Sequence, residues 1–597
     1  MHEKYERMCP KVLRYTKKLF KRCYFTAALI GLGTLVGCQS SKPTSKNIPT
    51  VSTAPTNEKY TFMISAANPI AANVGHEILR AGGSSIDAAI ATQMTLNLVE
   101  PQSSGIGGGG FLMYYDSNSG SIESFDGRET APLSTSPEIF LSENGRPMPF
   151  YSAAIGGLGV GIPGLLRMLE KVHLKHGKLP WSDLFKPAIK LSKQGFPISS
   201  RLSKLISKDK FLRESPTTRK YFYHTDGKPK AEGEILKNPE LAETFHNISK
   251  KGSNFLYKDT LSSSIIAAVN DAWKNPKKIG LSELASYQAK ERSPICAPYR
   301  KWLVCGMAPP SSGGVTTLQI LGLLQRFNLS NMTPMGVRAI HLISEASALA
   351  FADRNTYIAD PDSIPVPTGG MIDPSYLKSR AEKIPIFKAG GKKQPGMPGP
   401  VLSKNYATDD SSKGLSTTHM SIVDKDGNSV SMTSSIENAF GSRIMVGGFL
   451  LNNQLTDFSF QPTKNGAPVA NSAGPKKRPR SSMSPTLVFD GSGKLIMAIG
   501  SPGGSKIIGY VVKTIIGVLD WGFSLDDAIN LPNFICRNGP IELEKGTVLE
   551  DHKTALELMG HRVIISNHTS GLYGIYIDNQ ELKGGADKRR EGVALKN

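Results

Sequence analysis

Apolar residues recur at helical spacing from Asn68 onward, at Ile70, Val74, Ile78 and Leu79, and the run stops at Gly82-Gly83. Ser84-Ser85 then offers a cap for a second run through Leu98, so the pattern predicts a helix pair. Phe111–Tyr115 and Ser121–Phe125 instead read as strands around an Asn-Ser-Gly turn, leading into Asp126-Gly127-Arg128-Glu129 with Arg128 at a strand end. Between 164 and 360 most segments are amphipathic at the helical period, among them Gly164–Lys175, Trp181–Gln194, Ser262–Trp273 and Val337–Ala352, broken by the turn Pro309-Pro310-Ser311-Ser312-Gly313-Gly314. That lobe is expected to be helix-rich. Gly390 to Gly414 has little periodicity and the Gly, Pro, Lys and Ser content of an exposed linker. Beyond it the pattern turns to strands, Thr417–Val423 and Ser429–Ile436 around Asp426-Gly427, then Thr486–Phe489 and Leu495–Ile499 around Asp490-Gly491-Ser492-Gly493. Helices are expected again at Lys513–Leu519 and Thr554–Met559, and no repeat of fixed period is visible.

The chain has 597 residues, 39% hydrophobic and 20% charged, with 59 Gly and 39 Pro. This is a turn-rich globular composition that excludes a small binding module, a disordered chain and a multi-span membrane protein. The net charge of +21 suggests nucleic acid at first. Residues 1–22, however, hold eight Lys/Arg against two Glu, which accounts for six of those charges and leaves about +15 spread over the rest. No basic and aromatic block stands out, so no nucleic-acid partner is expected. Six Cys in a chain this long are too few for a disulfide scaffold, and they include no CxxC pair that could hold structural zinc.

Lys11 to Arg22 is a basic run, and Cys23 to Val36 is an apolar stretch shorter than the roughly 20 residues that span a bilayer. Residues 1–38 therefore read as a signal peptide. Its end, Leu35-Val36-Gly37-Cys38, resembles a bacterial lipobox, which makes Cys38 the expected lipidated residue and 39–58 a Ser/Thr/Pro-rich tether. Gln39, unlike Asp there, does not mark retention in the inner membrane. The expected location is the bacterial periplasm, anchored by lipid, with the outer membrane favoured. Export permits a bridge between Cys296 and Cys305 but does not decide it.

Several motifs fail on inspection. Gly105 to Gly110 satisfies GxGxxG but precedes an apolar strand instead of opening a helix, so a phosphate would meet no helix N-terminus. His76-Glu77 begins HExxH, but Arg80 takes the second ligand position and the pair reads as a surface feature. Ser207-x-x-Lys210 has no SDN or KTG partner, and GxSxG is absent.

One constellation survives. Ser416-Thr417-Thr418-His419 begins a strand behind the linker, where backbone cleavage would free the α-amino group of Thr417 as a built-in base for a weakly nucleophilic hydroxyl. Two Thr at a strand start are by themselves ordinary β-propensity. The chain adds Glu437-Asn438-Ala439-Phe440-Gly441-Ser442, Phe449 to Ser459, Arg480-Ser481-Ser482-Met483-Ser484-Pro485-Thr486 and Gly500-Ser501-Pro502-Gly503-Gly504-Ser505.

With these segments the sequence resembles the γ-glutamyltranspeptidase (γ-glutamyltransferase, glutathione hydrolase) family of N-terminal-nucleophile hydrolases, from about Ala66 to Gly592. The resemblance implies an α+β fold, an αββα four-layer sandwich, made from a precursor that cuts itself between Ser416 and Thr417. Residues 59–416 become a large subunit and 417–597 a small one, held as a heterodimer. It implies Thr417 as the nucleophile, Ser435 bonding its freed amine, and the N–H groups of Gly503 and Gly504 as oxyanion donors. Arg128 would clamp the substrate α-carboxylate with Ser481 and Ser482, and Asp457 would hold the α-ammonium with Gln454 and Glu437 nearby. Substrates would be glutathione or other γ-glutamyl compounds, with water, amino acids or dipeptides as acceptors. No cofactor and no metal is implied.

Ser435 replaces a Thr, and Glu437 an Asn, that many family members carry. Phe460 to Arg480, the expected lid, is short and lacks Tyr. Two alternatives follow: an acylase of the same fold acting on glutaryl-type or β-lactam side chains, and a catalytically dead envelope lipoprotein. Asp457 and Glu437 argue against the first, because a substrate without a cation would not use them. An intact Thr417 argues against the second.

Overall fold

The computed structural model describes residues 61–399, 405–409 and 416–597; the expected signal peptide, Cys38, the tether and part of the linker lie outside them. The core strands run β1 (Met63–Ala66), β2 (Gly109–Tyr115), β3 (Ile122–Asp126), β4 (Lys290–Arg292), β5 (Ile295–Tyr299), β6 (Trp302–Gly306), β7 (Thr418–Val423), β8 (Ser429–Ser435), β9 (Thr486–Phe489), β10 (Leu495–Gly500), β11 (Tyr573–Asp578), β12 (Glu581–Ala586) and β13 (Val593–Lys596). They pair as two antiparallel sheets, β13-β1-β7-β8-β2-β3-β4 and β12-β11-β10-β9-β6-β5. Helices α1 (Pro69–Arg80) and α2 (Ser85–Val99) cover the outer face of the first sheet. On the second lie α3 (Gly313–Leu324) and α5 (Ile507–Leu519), with α4 (Val337–Tyr357) against α3. The layering is αββα.

Side-chain alternation explains the layers. Met420 and Ile422 of β7 and Val430 and Met432 of β8 point into the α1–α2 core. Each such fully buried side chain contributes about 1.5–3 kcal/mol. Their neighbours Ser421 and Ser431 face the other sheet and donate to the Tyr573 and Ile499 carbonyls at 3.1 and 3.0 Å, so hydroxyls stitch the sheets together. The predicted helix pair is present, capped by Ser84, whose hydroxyl accepts from Asp87 N–H while Asp87 accepts from Ser84 N–H.

Three expectations need correction. The 164–360 lobe is helix-rich but also supplies β4, β5 and β6. In that hairpin Cys296 lies opposite Cys305, and the two are bridged. The linker is not simply exposed where it is described: Lys393 is buried and ion-paired with Glu345, and Asp409 is buried against Arg480. His76 is buried too, at 8% exposure, so only Glu77 and Arg80 make the surface pair. Strands from either side of residue 416 pair with one another in both sheets, with β1 between β13 and β7 and with β6 beside β9. A cut there would leave both pieces hydrogen-bonded in one body.

Candidate active site

The site begins at the head of β7, a strand enclosed by β1 and β8. Register places Ser434 opposite Thr418, which brings Ser435 beside Thr417. Ser416 and Thr417 are buried. The Thr417 hydroxyl donates to the Ser416 carbonyl oxygen at 2.6 Å, and the Ser435 hydroxyl donates to the same oxygen at 2.7 Å while accepting from Glu437 N–H at 2.9 Å. Ser416 N–H donates to the Glu437 carbonyl at 3.1 Å, the Ser416 hydroxyl to the Gln102 carbonyl at 2.7 Å, and Arg590 holds the Thr417 carbonyl at 3.0 Å. The 416–417 peptide is thus clamped on both sides. Glycines make room for the clamp: a Cβ on Gly107 or Gly108 would sit 2.2 Å from the carbonyl oxygen of Leu450 or Ser435.

This geometry suits an N-to-O acyl shift. In such a shift the Thr417 oxygen would bond the Ser416 carbonyl carbon, the C–N bond would break, the hydroxyl proton would pass to the new amine, and water would then open the ester. Ser435 is positioned to donate to the oxyanion as it develops. His419 is not a base for this step, because burial depresses its pKa to about 3 and its ring nitrogens face the Thr433 and Ser421 hydroxyls at 2.8 and 3.2 Å. Ser435→Ala should slow self-cleavage by roughly 10²–10³-fold, the effect of losing one oxyanion donor, while Ser435→Thr should process normally. A gel time course of purified precursor reads this; unchanged processing in Ser435→Ala would remove Ser435 from the step.

Thr417 and Ser435 open on a cavity of about 260 Å³ lined also by Arg128, Glu437, Gln454, Asp457, Ser481, Ser482 and Gly504. The structure therefore gathers every predicted binding residue around the predicted nucleophile. Arg128 is fully buried and donates to Asp457 Oδ2 at 2.6 Å and to the Pro479 and Arg480 carbonyls at 3.0 and 3.1 Å. Glu129 lies 3.6 Å from its other arm, and burial pushes that carboxyl up to about 8 despite the guanidinium. Gln454 donates to Asp457 Oδ2 at 2.7 Å. Glu437 adopts φ +79° and accepts from Asn453 at 2.5 Å. Gly503 does not line the cavity but stands directly behind Gly504. The two have φ of +134° and +59°, which Gly adopts without strain. Among the described residues neither N–H is taken by a protein acceptor, as an oxyanion site requires.

Sequence reading missed Arg354, Asn453 and Arg537, which also belong to this site. The signal for Arg354 was a polar triplet, Asp353-Arg354-Asn355, near the end of a helix buried along most of its length. Among the described residues one group has metal-ligand composition, His341, Glu345 and His561. His341 Nδ1 and His561 Nε2 are 2.7 Å apart, a direct hydrogen bond, whereas two nitrogens on one tetrahedral zinc lie about 3.3–3.4 Å apart. Glu345 is already paired with Lys393. The group is satisfied without an ion.

A four-layer αββα sandwich with a Thr hydroxyl lying on the preceding carbonyl at the head of a central strand defines the class of N-terminal-nucleophile hydrolases. Solved structures agree on the fold. A cephalosporin acylase from Bacillus halodurans superposes with a TM-score of 0.78 at 24% identity, covering 93% of this chain and 99% of its own. The γ-glutamyltranspeptidase of Helicobacter pylori gives 0.51 at 30% identity, covering 60% and 95%. The chain belongs to the gamma-glutamyltranspeptidase family, whose model matches residues 71–596. It is 36% identical over 543 residues to the glutathione hydrolase proenzyme of Bacillus subtilis (strain 168), covering 89% of this chain and 91% of that one. To the glutathione hydrolase proenzyme of Escherichia coli (strain K12) it is 34% identical over 543 residues, covering 88% and 90%.

Proposed function

We propose that this chain is a γ-glutamyltransferase with glutathione hydrolase activity, made as a proenzyme and matured by cleavage between Ser416 and Thr417. The observation that carries the reading is the Thr417 hydroxyl 2.6 Å from the Ser416 carbonyl oxygen, at a cavity where Arg128 and Asp457 stand side by side. Opposite charges at that spacing suit the head group of an amino acid, which carries carboxylate and ammonium on one carbon.

After maturation the Thr417 hydroxyl attacks the γ-carbonyl of a γ-glutamyl amide, and its own amine takes the proton and passes it to the leaving amine. The N–H groups of Gly503 and Gly504 hold the oxyanion. Arg128, Ser481 and Ser482 receive the α-carboxylate; Asp457, Gln454 and Glu437 receive the α-ammonium. Water or the amine of an amino acid or dipeptide then attacks the γ-glutamyl ester and restores the Thr417 hydroxyl. Purified matured protein should hydrolyse γ-glutamyl anilide and release the aniline faster when a dipeptide is added. A protein that matures but leaves the anilide intact would contradict the reading.

We also propose that Cys38 is lipidated and holds the enzyme in the periplasm, on the outer membrane. The apolar run before Cys38 and the Cys296–Cys305 bridge, a bond typical of oxidising compartments, support export. Fractionated cells should release the protein only with detergent, and Cys38→Ala should shift it to the soluble fraction. A wild type that is soluble without detergent would refute the anchor.

A further inference from the structure

Arg354 closes the last turn of α4 at 6% exposure and lines the cavity beside Ser482. Its neighbours in the site are ion-paired: Arg128 with Asp457 at 2.6 Å, Arg480 with Asp409 at 2.9 Å and Arg537 with Glu542 at 2.7 Å. The hydrogen bonds of Arg354 go instead to neutral side chains, from Nε to Ser312 Oγ at 2.8 Å, from one arm to Asn355 Oδ1 at 2.7 Å, and from the other to Ser482 Oγ at 2.6 Å. We infer that Arg354 is a positioning residue for the substrate carboxylate, acting through the hydroxyl of Ser482.

A guanidinium has only N–H donors, so at 2.6 Å the Ser482 oxygen must accept, and its own proton is directed elsewhere. Ser482 lines the cavity, and a hydroxyl polarised by a cation on one side is a strengthened donor on the other. The group that completes such a chain is an anion. Ser312 fixes the backbone of the same segment: it accepts from Arg354 while its hydroxyl and its N–H donate to the Ser481 carbonyl at 2.6 and 2.8 Å. One guanidinium thereby sets both where Ser481 and Ser482 stand and which way the Ser482 proton points. Among the described residues its buried charge makes no ion pair at contact distance, and it adds attraction for the incoming anion.

This inference rests on the γ-glutamyl reading and names the group that tunes its carboxylate subsite. Three anilides separate the contributions. The γ-glutamyl anilide carries carboxylate and ammonium, the glutaryl anilide carries only the carboxylate, and the 4-aminobutanoyl anilide carries only the ammonium. In Arg354→Lys, which keeps the charge but loses the fork, kcat/KM should fall roughly 10- to 100-fold on the two carboxylate substrates, mainly through KM, as expected for losing one charge-assisted hydrogen bond. The 4-aminobutanoyl anilide should change less than about threefold, because its carboxylate contact is already missing. Ser482→Ala should show the same pattern, and the double variant should lose clearly less than the two single losses combined. Equal losses on all three substrates, or additive losses in the double variant, would overturn the inference. If Arg354→Lys does not fold, Ser312→Ala takes its place, with the same carboxylate-selective loss expected and an unselective one counting against it. A wild type that treats γ-glutamyl and 4-aminobutanoyl anilides alike overturns the γ-glutamyl reading and this inference together. A discriminating wild type with an indifferent Arg354→Lys overturns the inference alone.

Discussion

Thr417→Ala should remain a single band on denaturing gels where the wild type gives two, and should lose at least roughly 10⁴-fold in turnover, the scale seen when a covalent nucleophile is removed. Both losses come from one atom. On the proposed mechanism the hydroxyl that lies 2.6 Å from the Ser416 carbonyl oxygen would both cut the chain and later carry the γ-glutamyl ester. Thr417→Ser keeps that oxygen and should still cleave. Because β1 lies between β13 and β7, the uncut variant should fold as the wild type does, so far-ultraviolet circular dichroism of the two should coincide. Processing or turnover in Thr417→Ala would mean that another group does the chemistry.

The second large effect is expected at the charge pair. Asp457→Asn keeps the shape of the side chain and removes the anion proposed to face the substrate ammonium. Leaving a buried charge without its partner typically costs about 2–5 kcal/mol, so kcat/KM on γ-glutamyl anilide should fall some 30- to several-thousand-fold. The glutaryl anilide, which lacks the ammonium, should be a poor substrate of the wild type and should hardly change in Asp457→Asn. Arg128→Lys should fall on both carboxylate substrates, because an ammonium cannot replace a fork that already holds Asp457 with one arm and the Pro479 carbonyl with Nε. Equal wild-type rates on γ-glutamyl and glutaryl anilides would favour an acylase.

Much of the scaffold was legible because its hydrophobic period and its turn chemistry agree. The α1–α2 pair has an apolar stripe, a Gly-Gly stop and a Ser cap. The β7–β8 hairpin has Asp-Gly at its turn, and that register alone brings Ser435 to Thr417. The β5–β6 hairpin was hidden for the opposite reason. Its two-residue turn places Arg300 at φ +54° where Gly, Asn or Asp normally signals the bend, and Pro298 interrupts the strand pattern. Arg354 was hidden by burial: α4 is enclosed on nearly all sides, so no polar face marks a functional edge, and its partner Ser482 lies 128 positions along the chain. Gly107 and Gly108 were visible as a motif, but what they admit is the backbone of Leu450 and Ser435 and not a phosphate.

The central claim, one threonine that first cuts the chain and then carries the substrate, is tested most directly by mass spectrometry of purified enzyme quenched during turnover of a γ-glutamyl anilide. The account predicts a small chain whose first residue is Thr417, and in the quenched sample a single γ-glutamyl group attached to the N-terminal peptide of that chain, absent without substrate. A small chain beginning elsewhere, or a γ-glutamyl group on any other residue, would contradict it.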